Sequence, residues 1–65
     1  MAGKNVKKAR HEAGLTQQAL ADSLSVSRSL IALVETDRIY VYPSLRRRIA
    51  RNLSTPVKDI WEAGK

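Results

Sequence analysis

The clearest chemistry in this 65-residue chain sits in three consecutive side chains, Ser27, Arg28 and Ser29, which offer two hydroxyls and a guanidinium. A guanidinium at the N-terminal end of a helix lying in a major groove can reach O6 and N7 of guanine, or bind a phosphate. Ser29 can contact a base or the backbone. Ala32 and Leu33 follow on the same face at i+3 and i+4; they neither donate nor accept, and against DNA they would pack on thymine methyl groups. Upstream, Gln17 and Gln18 lie in the first turn of another helical stretch, where free N–H groups attract phosphate. Other chemistries lack their parts. With no Cys and one His (His11) there is no thiolate or metal site, and no Gly-rich phosphate loop or spaced carboxylate cluster suggests an enzyme. Neither a cofactor nor a small-molecule ligand is indicated.

The elements that position these residues follow from periodicity. Leu20 and Leu24 share a helical face with Ala21 beside them, and Thr16 stands before the run as an N-cap. Ser27, a second cap, comes three residues after Leu24, so one helix must end and the next begin within Ser25 and Val26. Val26 can drop into the angle between them. In the second helix Ile31 and Val34 face the core, while Arg28, Ser29, Ala32 and Leu33 occupy the opposite side. Two short helices meeting across a tight turn are the geometry of a helix-turn-helix.

The stretch from Thr16 to Glu35 resembles the lambda-repressor-like, XRE-type helix-turn-helix family. The likeness rests on Gln17, on Leu20 and Ala21, on apolar Leu24, Val26, Ile31 and Val34, on the Ser27-Arg28-Ser29 start of the second helix and on the closing Glu35. It needs no gaps and extends in weaker form from Val6 to Trp61. The resemblance implies an all-α fold of five helices in a single domain over residues 1–65, with residues 27–35 as recognition helix. It implies that Gln17 helps hold the DNA backbone, that Arg38, Tyr40 and Tyr42 lie where backbone phosphates are contacted, and that Arg10 pairs with Glu35 as a structural ion pair. Glu35 also lies four residues after Ile31, at the margin of the core stripe, where a carboxylate wants a bidentate partner.

Two positions depart from the family pattern. Ser25 stands where Gly is usual, in a turn position that tends to need positive φ. Leu30 and Leu33 replace Thr and a long polar or basic residue. Leu30 fits the core edge beside Val34; Leu33 faces either thymine and sugar or a protein partner. Pro43 also comes two residues later than the family's proline, which gives the preceding loop its own path.

Along the remaining chain, Met1 to Lys4 are expected to fray. Asn5 is a candidate N-cap for a first helix through about Ala13, with Val6 and Ala9 inward and Gly14 stopping it. Thr36 to Tyr42 reads as an extended connection with Asp37 as turn former. Pro43 and Ser44 open a fourth helix with Leu45, Ile49, Ala50 and Leu53 buried, and Arg46, Arg47, Arg48 and Arg51 on its other sides. Thr55 as N-cap and Pro56 at N1 start a fifth helix carrying Val57, Ile60 and Trp61 on one face. Trp61 lids the core or meets a second subunit, and Glu62 to Lys65 are expected to fray.

Twelve Lys and Arg against six Asp and Glu give a net charge of +6, with a pI near 10.4, which favours a polyanionic partner. No apolar run approaches the ~20 residues of a membrane span, and no signal-peptide segment is recognisable, so a cytoplasmic, nucleoid-associated protein is expected. The reading that joins these features is a prokaryotic or phage regulator of transcription, a repressor by expectation, that binds double-stranded DNA as a homodimer on a palindromic operator. The alternative is an antitoxin or adaptor that uses the same fold to hold a partner protein through Leu30 and Leu33.

Overall fold

The computed structural model describes residues 2–61. They form five helices, α1 (Ala2–Glu12), α2 (Gln17–Leu24), α3 (Arg28–Glu35), α4 (Pro43–Asn52) and α5 (Val57–Trp61), with no strand among the described residues. Helix α3 packs against both α1 and α2, α4 against α2 and α5, and α5 returns to α1. The apolar stripes close on one core: Val6, Leu20, Leu24, Ile31, Val34, Ile49 and Ile60 are almost wholly buried, and Val26, Val57 and Trp61 pack against its edge.

Helices α1 to α4 end in the same way. Gly14, Ser25, Asp37 and Ser54 all take left-handed backbone, with φ of 72°, 58°, 58° and 52°. After each of them the next N–H bonds back five residues: Leu15 to Arg10, Val26 to Ala21, Arg38 to Leu33 and Thr55 to Ala50, all at 3.0–3.1 Å. This is the Schellman ending, which satisfies otherwise orphaned carbonyls and usually uses glycine. Three of the four positions lack it, and left-handed backbone costs a side-chain-bearing residue about 1–2 kcal/mol. Ser54→Gly, whose hydroxyl has no partner among the described residues, is therefore expected to stabilise the protein by about 0.5–1 kcal/mol, read as a raised denaturation midpoint. A lowered midpoint would show that the turn is not strained.

The first helix corrects the expectation of a frayed N-terminus capped by Asn5. It starts at Ala2, and its cap comes from 34 residues away: the Gly3 N–H donates to Asp37 Oδ1 at 2.9 Å. Asn5 lies inside the helix, its amide donating to the Ile60 carbonyl at 2.9 Å. The close approach depends on Gly3, because a Cβ there would lie 2.5 Å from the Val34 carbonyl oxygen and 2.6 Å from that of Glu35. Alanine would bring helix propensity worth about 1 kcal/mol and an overpacking penalty of about 1–3 kcal/mol. Gly3→Ala is thus expected to be a net loss of about 1 kcal/mol in chemical denaturation, and a net gain would mean that the α1–α3 contact is loose.

Two other expectations shift. Helix α5 begins at Val57, one residue past Pro56, and the Thr55 hydroxyl donates to the Leu53 carbonyl at 3.0 Å, within the α4 ending. Arg46 is half-buried: its Nε donates to the Val41 carbonyl at 2.6 Å, and its guanidinium lies 5.5 Å from the Tyr40 ring centroid and 5.7 Å from that of Trp61. The side chain thereby ties the loop before α4 to the last described helix. The expectations for Met1 and for Glu62 to Lys65 fall outside the described residues.

Candidate nucleic-acid interface

The helix-turn-helix is built by local caps. Thr16 Oγ1 accepts from Ala19 N at 3.0 Å and Ser27 Oγ from Leu30 N at 3.1 Å, so each hydroxyl fixes the first turn of its helix. Between them the Ser25 turn sets the angle, and Val26 packs half-buried inside it. Helix α3 is then divided lengthwise. Ile31, Val34 and Glu35 are buried, whereas Arg28 and Ser29 are exposed, Ala32 is half-buried and Leu33 is 38% exposed.

Of the residues singled out in the sequence, Arg28, Ser29, Ala32, Leu33 and Arg38 come together along one open groove, joined by Thr36. Its surface is largely apolar between Arg28 near one end of the helix and Arg38 beyond the other. Thr36 was not anticipated, although it continues the 29, 32, 33 stripe at helical spacing. Its hydroxyl donates to the Ala32 carbonyl at 2.8 Å. Among the described residues no carboxylate lines this groove, and its two guanidinium groups face an anion without a competing acid.

The other candidates are placed differently. Gln18 is exposed in the first turn of α2, and its amide donates to Asp22 Oδ1 at 2.8 Å. Gln17 is half-buried and donates to Glu35 Oε1 at 3.0 Å, so its amide belongs to the ion-pair network in this conformation. Tyr40 and Tyr42 are both exposed, outside the groove; Tyr42 immediately precedes α4 and makes no side-chain cap.

Behind the groove lies the buried pair. Arg10 Nε donates to Glu35 Oε2 at 2.6 Å, Nη2 to Oε1 at 3.1 Å, and Nη1 to the Leu15 carbonyl at 2.8 Å. This two-pronged geometry is the strong form of a guanidinium–carboxylate contact. Burial alone would push the Glu35 carboxyl up; hydrogen bonds from Arg10 and Gln17, with the charges of Arg10 and Lys7, outweigh it and hold the group below its ordinary value. The network joins α1, α2 and α3 immediately behind the exposed face, and fixes the last turn of α3 against the first turn of α2.

Among the described residues no group of His, Cys, Asp and Glu side chains could hold a metal ion, and no helix is long and apolar enough to cross a membrane. A family model described as a helix-turn-helix domain matches residues 2–60. No curated protein and no solved structure matches the chain.

Proposed function

The chain belongs to the helix-turn-helix family, of the lambda-repressor-like type, and from that membership we propose that it is a sequence-specific DNA-binding regulator of transcription, acting as a repressor. The observation that carries the reading is the division of α3: one face is locked into the core by Ile31, Val34 and the paired Glu35, and the other presents Arg28, Ser29, Ala32 and Leu33 as a continuous stripe. A helix held on one side and free on the other can enter a major groove without rearrangement.

In this reading Arg28 reads a guanine and Ser27 and Ser29 contact a base edge or the backbone. Ala32 and Leu33 pack on thymine methyl groups, so Leu33, where the resembled family has a polar residue, selects for thymine by apolar contact. Gln17, Gln18, Arg38, Tyr40 and Tyr42 supply phosphate contacts that fix register; Gln17 would have to turn its amide from Glu35 or share it. Two copies related by a two-fold axis would place their recognition helices roughly 34 Å apart on a palindromic operator. The site of action is the nucleoid in the cytoplasm.

Leu33 and Ala32 support a second reading, an antitoxin or adaptor that buries this apolar groove against a partner protein. Binding to a mixed-sequence duplex at increasing salt separates the two. The DNA-binding reading expects log K to fall linearly with log[salt], with measurable affinity near physiological ionic strength. Absence of duplex binding at low salt would overturn it and leave the interaction module.

A further inference from the structure

A second basic feature lies outside the α3 groove and shares no residue with it. Ser44, Arg47, Arg48 and Arg51 follow one another at spacings of three, one and three, which puts them on a single stripe of α4. This stripe forms one wall of an open cleft of about 660 Å³, and Thr55, Pro56 and Val57 form the facing wall. Ala50 adds to the apolar lining between them. Among the described residues no carboxylate contributes to the lining.

Among the described residues Arg47 and Arg51 have no ion-pair partner, the Arg10–Glu35 pair being the only salt bridge found there. Arg48 also lines the cleft, but its Nη2 donates to the Leu24 carbonyl at 2.6 Å, at the end of α2 and outside the cleft lining, so Arg47 and Arg51 are the cleft's uncommitted guanidinium groups. Like charges at i and i+4 destabilise a helix. Arg51, in the last turn, complements the helix dipole; Arg47, one turn earlier, has no such compensation. The arrangement therefore sets two uncommitted cations, Arg47 and Arg51, beside the Ser44 hydroxyl and across from the apolar Pro56 and Val57.

We propose that the α4–α5 cleft binds a phosphate-bearing anion. The phosphate would be held between Arg47 and Arg51 with a hydroxyl donor from Ser44, a donor set that suits a multiply charged oxyanion; the Thr55 hydroxyl already donates to the Leu53 carbonyl and only borders the site. The volume lies in the range of small-ligand sites, about 300–1,000 Å³, and Pro56 and Val57 offer contact to the uncharged part of a nucleotide-sized molecule. The same donors could instead meet phosphates of DNA flanking the recognition helix. The inference goes beyond the reading of the α3 groove and does not depend on it.

The test is a titration of the full chain with inorganic pyrophosphate and with ADP, followed by amide NMR shifts, and repeated with the Arg47→Gln/Arg51→Gln double variant. Both side chains are exposed, so the variant should fold, and its dispersed spectrum checks this. The expected result is saturable shifts confined to Ser44, Arg47, Arg51, Thr55 and Val57, with the dissociation constant raised at least tenfold in the variant. Parallel salt titrations on a duplex identify the source. An unchanged salt slope in the variant assigns the site to a free phosphorylated ligand, and a slope reduced by about two phosphate contacts assigns it to the DNA backbone. Absence of saturable shifts, shifts spread evenly over all basic residues, or equal affinity in the folded variant would overturn the proposal.

Discussion

Glu35→Ala is expected to cost about 3–5 kcal/mol, because it leaves the Arg10 guanidinium buried beside no countercharge. Arg10 is 5% exposed and Glu35 7%, so water cannot replace the lost partner without opening the contact between α1 and α3. A domain of this size rarely has more than about 3–5 kcal/mol in total, and the variant should therefore be largely unfolded at room temperature, as read by circular dichroism. Replacing both partners by apolar residues, Arg10→Met with Glu35→Leu, removes the stranded charge as well, and such exchanges are often neutral or better. Recovery of the fold in the double variant would separate the cost of an unpaired charge from the value of the pair. A loss below about 1 kcal/mol in Glu35→Ala would mean that the pair is solvated.

The same pair sets a pH dependence. The folded carboxyl titrates below its unfolded value, so in the window between the two the unfolded chain binds more protons and stability rises with pH. The contribution is complete above the unfolded value of roughly 4.3 and is lost as pH falls through the folded one. Above that window the Glu35 carboxylate adds no further slope. In Glu35→Gln the acid-side slope should flatten.

Arg28→Ala is the second large effect. If the guanidinium makes two parallel bonds to a guanine, its removal costs about 1–3 kcal/mol of discrimination, or roughly 5- to 150-fold in affinity for the best site, with preference relaxed at one base pair per half-site. A phosphate contact behaves differently: affinity would fall uniformly across sequences and the salt slope would drop by about one. The side chain is exposed and has no partner among the described residues, so folding should be unaffected and the change in binding can be read directly.

Local signals in the sequence were strong where the physics is local. Thr16 and Ser27 cap the helices they precede, and Ser25, standing in a glycine position, takes the positive φ that the turn demands. The core residues of α2, α3 and α4 follow from 3.6-residue spacing alone. What escaped was set by partners far along the chain. The start of α1 depends on Asp37, 34 residues away, and no pattern within residues 2–5 encodes that cap. Gln17 reads as a phosphate-seeking residue because nothing near it in sequence shows that Glu35 lies within 3.0 Å. Arg46 reads as one of four similar arginines, and only the approach of Tyr40 and Trp61 distinguishes it. For the interface, the stripe 29, 32, 33 was legible and its extension through Thr36 to Arg38 was not, because it depends on the left-handed turn at Asp37.

The most direct test of the central claim, that the free face of α3 reads DNA, is selection of bound sites from a random duplex pool at near-physiological salt, with the unmodified chain and with Arg28→Ala. The account predicts an enriched two-fold symmetric site whose half-sites lie about one helical turn apart, with one guanine per half losing its preference in the variant. An unenriched pool, with binding that vanishes at modest salt, would leave only non-specific charge and contradict the claim.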